Sequence, residues 1–135
     1  MITAIDTNIF LDILLPNETF AGASASALES SAASGSLVIC DGVYAELCIH
    51  FDKQRECDDL LATNQIRVEP LTRLALLTAG RAWRVYRKQG GQRTRILADF
   101  LIGAHAQNQA SRLLSRDRGF YRKLFPKLEI LDPSP

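Results

Sequence analysis

The amino-acid sequence predicts an α/β domain of three layers, in which a four- to five-stranded, mainly parallel sheet is flanked by helices. Two observations support this prediction: short, largely apolar segments of strand length recur along the chain, and segments with helical patterns lie between them. The sequence shows neither an internal repeat nor a segment with the composition of an interdomain linker. We therefore expect a single domain over residues 1–135.

Five short segments have the length and composition of strands. Segments that are apolar throughout, without alternating polar residues, are typical of strands buried on both faces of a parallel sheet. Pro70 closes the third segment, because proline ends regular pairing within a sheet. The predicted strands cover residues 2–5, 37–40, 66–70, 112–115 and 128–131.

Helical segments are predicted in the intervals between these strands. The clearest covers residues 71–88, where Arg81, Arg84 and Lys88 share one face. Another face of that helix is expected to point at the core and comprises Leu71, Leu74, Ala75, Thr78, Ala82, Val85 and Tyr86. The other predicted helices cover residues 7–15, a segment from Asn17 to near Gly35, residues 41–51, 52–62 and 98–109, and, as a short helix or turn, 117–125.

Composition excludes several classes of protein. The chain is 47% hydrophobic, yet no apolar run reaches the roughly 18 residues that a membrane span needs. The start of the sequence lacks the basic segment and cleavage site of a signal peptide, so we expect a cytoplasmic protein. Three cysteines without CxxC spacing argue against a disulfide framework, and the isolated residues His50 and His105 argue against a zinc site.

Charge is distributed unevenly along the chain. Residues 1–65 contain ten acidic and two basic side chains, whereas residues 66–135 contain five acidic and fourteen basic ones. Such asymmetry is typical of proteins that bind nucleic acid or another charged partner. An ordinary solvated helix face explains the basic residues equally well, so the charge pattern alone does not decide between the two.

Four acidic residues are predicted to meet at one edge of the sheet. Asp6 ends the first strand and Asp117 follows the fourth, while Asp99 opens a helix and Glu46 lies within the helix after the second strand. Ligands of parallel sheets bind at the carboxyl ends of the strands, where these residues would converge. Each aspartate also suits a helix cap, and Glu46 also suits a solvent-facing position.

Two other acidic residues lie close to these four in the sequence. Asp41 is the rival of Glu46 and is better explained as the cap of its helix. Asp12 lies in the middle of the first helix, and we expect it on the surface.

A cluster of carboxylates indicates a particular chemistry. Like charges repel one another unless a cation or protons compensate them, and Mg²⁺ prefers oxygen ligands. A bound metal generates hydroxide from water and stabilises a leaving oxygen, and basic residues nearby attract phosphate. The pattern therefore predicts hydrolysis of phosphodiester bonds.

Four segments carry a family resemblance: IDTNIFLDIL, VYAEL, LADFLIGAHA and LLSRDRGFYRKLFPKLEIL, in this order and over nearly the whole chain. They resemble the PIN-domain ribonucleases, specifically the VapC-type toxins of bacterial and archaeal VapBC toxin–antitoxin pairs. The resemblance implies a PIN-like sheet and an endoribonuclease that depends on Mg²⁺ or Mn²⁺. It also implies the role of a toxin in a type II toxin–antitoxin pair.

The same resemblance implies roles for individual residues. Asp6, Asp99 and Asp117 would bind the metal directly or through water, and Glu46 would help to position or deprotonate the attacking water. In-line attack on phosphorus would then leave a 5′-phosphate and a 3′-hydroxyl. Three supporting residues are expected around them: Asn8, which would orient Asp6; Ser115, which would bond near the metal or its water; and, with a weaker case, Thr7.

Basic and aromatic residues near these acids are candidates for contact with RNA. The basic loop of Arg93 and Arg95 precedes Asp99, and further arginines surround Asp117. Surface solubility is the alternative explanation for all of them. Phe120 and Tyr121 offer rings that could stack on a base, although Phe120 is better explained as a core residue. The arginines singled out for RNA contact are Arg93, Arg95, Arg116 and Arg118, with Arg112 and Arg122 as a possible extension.

Partners follow from the resemblance as well. A VapB-type antitoxin would lay an apolar, arginine-bearing segment along a groove, and a homodimer is also expected. The segment 9–20 is more apolar than one short helix requires, so part of it is a candidate for that groove or for a dimer surface, with core packing as the alternative.

Two other functions compete with this interpretation. A phosphatase of the haloacid dehalogenase type needs a second aspartate where this chain has Asn8, which argues against it. A non-catalytic PIN-like scaffold that binds RNA or protein stays open, but the intact set of four acids disfavours it.

Overall fold

A computed structural model describes residues 1–15, 17–91 and 97–134. Within them, five strands form one sheet in the order β3-β2-β1-β4-β5, and every pairing is parallel. The predicted parallel α/β architecture is thereby confirmed. The strands are β1 (Ile2–Ile5), β2 (Ser36–Cys40), β3 (Ile66–Glu69), β4 (Arg112–Leu114) and β5 (Ile130–Leu131).

Seven helices in the described residues flank this sheet, close to where the sequence predicts them. Consecutive residues of β1, β2 and β4 are buried, so helices cover both faces of the sheet. The helices are α1 (Thr7–Leu14), α2 (Ala21–Ser34), α3 (Asp41–Cys48), α4 (Gln54–Thr63), α5 (Arg73–Lys88), α6 (Leu97–Gln109) and α7 (Arg118–Leu124). None of these helices is long and apolar enough to cross a membrane.

The strand order reverses at β1. The chain moves outward from β1 through β2 to β3, and later returns to place β4 and β5 on the other side of β1. Open parallel sheets bind ligands in the crevice at such a switch point, beyond the carboxyl ends of the strands. Ile5 pairs with Leu114 there, so Asp6 and Ser115 leave the sheet side by side.

The face that α5 buries is narrower than the sequence predicts. Its buried residues are Ala75, Ala79 and Ala82, whereas Leu74 is 62% exposed and Val85 is 46% exposed. The prediction that Leu74 and Val85 face the core is therefore wrong. The small alanine side chains allow α5 to approach α6 closely, and the longer side chains lie at the margins of that contact.

Asp12 is buried, and the prediction that it lies on the surface is wrong. Its side chain is 2% exposed and accepts hydrogen bonds from Arg116 and from Ser24. Burial alone would raise the pKa of Asp12, but the hydrogen bonds from Arg116 and Ser24 and the charge of Arg116 outweigh burial and lower it. Asp12 is therefore an ionised carboxylate inside the protein.

An aromatic cluster fills the space between α5, α6 and α7. Phe100 contacts the rings of Tyr86 and Phe120 edge to face, with ring centroids 5.5 and 5.3 Å apart. Tyr121 continues the cluster at 5.1 Å from Phe120. Phe120 is partly buried and packs against the hydrophobic core, in agreement with its prediction as a core residue.

Candidate active site

Asp6 occupies the switch point of the sheet and is 5% exposed. Its backbone N–H donates to the carbonyl oxygen of Leu114 at 3.0 Å, which continues the pairing of β1 with β4 by one residue. Its Oδ1 accepts a hydrogen bond from the N–H of Thr7 at 2.7 Å and so caps α1. Capping uses one oxygen of the carboxylate, so it does not exclude a second role for Asp6.

The other oxygen of Asp6 is held by three side chains. Oδ2 accepts hydrogen bonds from the hydroxyls of Ser115 at 2.7 Å and Tyr121 at 2.9 Å. Asn8 Nδ2 lies 3.4 Å from both Asp6 Oδ2 and Ser115 Oγ. The orientation of this carboxylate is therefore fixed from α1, from the end of β4 and from α7.

Two hydroxyl groups connect Asp117 and Glu46 to this centre. Ser115 Oγ accepts a hydrogen bond from the N–H of Asp117 at 2.9 Å while it donates to Asp6, so it ties the two aspartates together. Thr7 Oγ1 donates to Glu46 Oε1 at 2.7 Å, across the gap between α1 and α3. Asp41, the rival of Glu46, is exposed at the first position of α3.

Electrostatics place Asp99 in the same group. Burial and, to a smaller extent, the charge on Asp99 raise the pKa of Asp6, the bonds from Ser115, Tyr121 and Thr7 lower it, and the resulting pKa is about 6. Burial and the charges of Asp6, Asp99 and Asp117 together raise the pKa of Tyr121 well above its usual value. Asp99 therefore acts on Asp6, and all three aspartates act on the same phenol.

A divalent metal fits this donor set in its chemistry. The side chains offer oxygen only, and burial penalises the charge of Asp6, which a cation would compensate. Within the three described stretches of the chain, no three His, Cys, Asp or Glu side chains form a metal-binding group. Mg²⁺ is usually held by only one or two carboxylates together with waters and substrate phosphate, so a group of three is not required for it.

Tyr121 has a role that the sequence did not reveal. The ring is fully buried, so the interpretation that Tyr121 stacks on a base is wrong. Its hydroxyl instead donates to Asp6. The signal for this role is that a buried tyrosine needs a partner for its hydroxyl and that Tyr121 lies one helical turn after Asp117.

Removal of the Tyr121 hydroxyl should weaken the fold. In Tyr121→Phe, Asp6 loses a hydrogen bond at a buried, charged acceptor, and we expect the free energy of unfolding at pH 8 to fall by about 1–2 kcal/mol. Urea denaturation measures the change. Tyr44→Phe is the control, because the bond between Tyr44 and Asp58 is solvent-accessible and its loss should leave stability nearly unchanged. Equal effects of the two substitutions would contradict this role for Tyr121.

The candidate RNA-binding arginines differ in their surroundings. Arg93 and Arg95 lie outside the described residues. Arg118 is exposed at the start of α7, next to Asp117. The guanidinium of Arg116 is bound by Asp12 and lies over the ring of Phe20 at 4.0 Å. Contact between RNA and any of these arginines stays a prediction.

Comparisons with known proteins agree with the fold. The sequence model of the PIN domain matches residues 3–125. No curated protein matches the sequence.

Solved structures of toxin–antitoxin proteins are similar to this chain throughout its length. They include VapBC2 from Rickettsia felis bound to promoter DNA, at a TM-score of 0.74 and 19% identity, and VapBC-1 from nontypeable Haemophilus influenzae, at 0.73 and 20%. FitAcB from Neisseria gonorrhoeae is similar at 0.69 and 18%. Each similarity covers 98% of both chains, and at these identities it concerns the fold. The match over residues 3–125, on a parallel sheet with acidic side chains at its switch point, shows that this chain belongs to the PIN domain family.

Proposed function

We propose that this protein is an endoribonuclease that depends on Mg²⁺ or Mn²⁺ and acts as the toxin of a type II toxin–antitoxin pair. One observation carries the proposal. A buried carboxylate, Asp6, is oriented by three side chains at the switch point of the sheet, and its charge is coupled to that of Asp99. A helix cap would not require these additional hydrogen bonds, because capping occupies only one of the two carboxylate oxygens of Asp6.

Each residue of the site has a proposed role in binding the metal or in supporting a metal ligand. Asp6, Asp99 and Asp117 would hold the metal, directly or through water, with Asn8 and Ser115 fixing the carboxylate of Asp6. When bound, the metal would polarise a phosphoryl oxygen and acidify a water molecule.

Glu46 would position the attacking water and accept its proton. Thr7 donates to Oε1 of Glu46 and thereby directs this carboxylate toward the cluster. Water attack in line with the leaving 3′-oxygen gives a 5′-phosphate and a 3′-hydroxyl.

RNA is the proposed substrate because the half of the chain that contains Asp99 and Asp117 is also the half rich in basic residues. Arg118 is exposed directly beside Asp117, and Arg93 and Arg95 precede Asp99 in the sequence. Cations beside a metal site attract the phosphate backbone without reading sequence.

An antitoxin of the VapB type is the proposed partner. A narrow apolar cavity of about 70 Å³ lies between α1, α2 and α4, and Ile13 on its rim is 40% exposed. Its lining residues are Phe10, Ile13, Leu14, Leu28, Leu60, Asn64 and Ile66. This cavity is lined in part by the apolar segment 9–20 and would receive an apolar side chain of the antitoxin.

A homodimer is also proposed. The helix α5 exposes several large apolar side chains at its margins, and a second copy of the chain would remove them from water. These side chains are Leu74, Leu76, Leu77, Trp83 and Val85.

Cleavage of labelled RNA tests the proposed activity. We expect the wild type to cut single-stranded RNA with Mg²⁺ or Mn²⁺, to stop when a chelator is added, and to leave 5′-phosphate ends. The Asp99→Asn variant should be at least about 100-fold slower, because it removes one carboxylate of the cluster. Cleavage that survives the chelator, or an Asp99→Asn variant as active as the wild type, would contradict the proposal. RNA binding without any cleavage would favour a non-catalytic scaffold.

A further inference from the structure

We propose that Asp12 is a positioning residue, which holds the segment 115–117 of the candidate active site in place through an ion pair with Arg116. The catalytic part of this inference rests on the proposed function. The geometric part does not, since it concerns how the segment with Ser115 and Asp117 is held.

The ion pair has the geometry of a fork. Asp12 Oδ2 accepts from Arg116 Nε at 2.6 Å, and Oδ1 accepts from Nη2 at 2.8 Å. Ser24 Oγ donates to Oδ2 at 2.7 Å, so the carboxylate is held by α2 as well. Two parallel bonds fix both the distance and the plane of a guanidinium, which a single contact does not do.

Arg116 is held by more than its charge. Its guanidinium lies over the ring of Phe20 at 4.0 Å, and its backbone N–H donates to Asn8 Oδ1 at 3.3 Å. Asn8 and Asp12 lie one helical turn apart on α1. The backbone and the side chain of Arg116 are therefore both attached to α1.

The attachment matters because of the neighbours of Arg116. The segment 115–117 lies between the end of β4 and the start of α7, where the backbone N–H of Ser115 donates to the carbonyl oxygen of Leu131 and the carbonyl oxygen of Asp117 accepts from the N–H of Tyr121. Ser115 donates to Asp6, and the N–H of Asp117 donates to Ser115 Oγ. Fixing Arg116 to α1 thus helps to fix both of its neighbours, Ser115 and Asp117, and Ser115 connects Asp117 to Asp6.

Stability alone does not explain this pair. Burying an ion pair costs desolvation energy, and apolar residues of similar volume often stabilise a protein at least as well. By contrast, the pair between Arg55 and Asp59 is exposed on both sides and measures 3.9 Å. A partly buried fork that spans 104 residues of sequence, beside the acidic cluster, is better suited to setting the position of a loop.

This assignment changes the role expected of Arg116. An arginine that serves only to contact RNA would expose its guanidinium to solvent, where it can bind phosphate. The Arg116 side chain is only 25% exposed, and its charge faces Asp12. The substitution Asp12→Asn keeps the size of the side chain but removes its charge. It should therefore lower kcat and leave KM nearly unchanged, which loss of an RNA contact would not do.

Hydrogen exchange followed by NMR tests the geometric part without any need for activity. In Asp12→Asn, we expect the amides of Ser115 and Asp117 to exchange at least about 10-fold faster, while amides of β1 and β2 stay as protected as in the wild type. Asp59→Asn, which removes the exposed pair with Arg55, is the matched control and should change neither set. Unchanged protection at residues 115 and 117 in Asp12→Asn would overturn the proposal.

Kinetics and metal binding test the catalytic part. We expect Asp12→Asn to lower kcat and Mn²⁺ affinity by about 10-fold or more, with KM within about 3-fold of the wild type. Arg116→Lys keeps the cation but loses the fork, and it should behave in the same way even if Asp12→Asn fails to fold. An effect on KM alone would overturn the proposal in favour of an RNA contact. A wild type that neither binds Mn²⁺ nor cuts RNA would refute the proposed function, while the exchange result would still decide how the segment is held.

Discussion

The substitution Asp6→Asn is expected to reduce RNA cleavage by at least about 100-fold while it makes the metal-free protein more stable. The loss of activity follows from removing the carboxylate at the centre of the cluster. The gain in stability follows from the environment of Asp6, since burial and the charge of Asp99 raise its pKa from 3.8 to about 6. Holding that group ionised above pH 6 costs about 3 kcal/mol of folding free energy.

The gain in stability of Asp6→Asn should be largest at high pH and should disappear on acidification. The folded protein binds the proton of Asp6 more tightly than the unfolded chain does, so wild-type stability decreases as pH rises from about 4 to about 6. An asparagine does not titrate and avoids this cost. We therefore expect Asp6→Asn to be more stable than the wild type by about 1 kcal/mol at pH 8, after allowing for one lost hydrogen bond, and to lose the advantage near pH 4.

Urea denaturation in the presence of a chelator, at pH 8 and at pH 4, measures this difference. Asp52→Asn is the control, because Asp52 is exposed and its substitution should be neutral at both pH values. An Asp6→Asn variant that is less stable than the wild type at pH 8, or whose advantage grows on acidification, would contradict the electrostatic account of the site.

Two glycine-to-alanine substitutions in helices should have opposite effects on stability. At Gly103 in α6, a Cβ atom would lie 2.4 Å from Cε2 of Phe125, a ring that is 1% exposed. At Gly80 in α5, a Cβ atom would meet nothing within 4 Å. We expect Gly103→Ala to cost about 2 kcal/mol through overpacking and Gly80→Ala to add about 1 kcal/mol through helix propensity.

The Gly103 effect should extend to the site. Phe125 packs on Tyr121, whose hydroxyl holds Asp6, so a displaced Phe125 ring disturbs that hydrogen bond. Thermal unfolding of the two variants, with RNA cleavage measured at a temperature where both are folded, checks both parts. The same sign of stability change at the two glycines would show that the close packing of Gly103 on Phe125 does not decide stability there.

The sequence predicted the sheet and the position of Asp6 because both depend on local patterns. A short apolar segment followed by an aspartate is visible in ten residues, and the parallel sheet then dictates which ends converge. The predicted roles of Asp6, Glu46, Asp99 and Asp117 rest on the family resemblance and await their experiments.

Other features were missed because they depend on contacts between distant parts of the chain. The bond from Tyr121 to Asp6 spans 115 residues, and the pair of Asp12 with Arg116 spans 104. Helical periodicity predicts that Leu74 and Val85 face the core, but both are exposed. Periodicity shows the direction of the buried face of a helix and does not show how wide a face the neighbouring helix covers. In α5 the buried face consists of alanines. Hydrophobic periodicity gives alanines less weight than the larger apolar side chains, so it overestimates the width of this face.

Binding of Mn²⁺ to the protein tests the central claim most directly, because the claim is that the acids around Asp6 hold a divalent metal. The free Mn²⁺ signal in electron paramagnetic resonance is measured while metal is titrated into chelator-treated wild type, Asp99→Asn and Asp52→Asn. We predict saturable binding by the wild type and by Asp52→Asn, and binding at least about 10-fold weaker by Asp99→Asn. Wild-type binding no stronger than that of Asp99→Asn would contradict the claim.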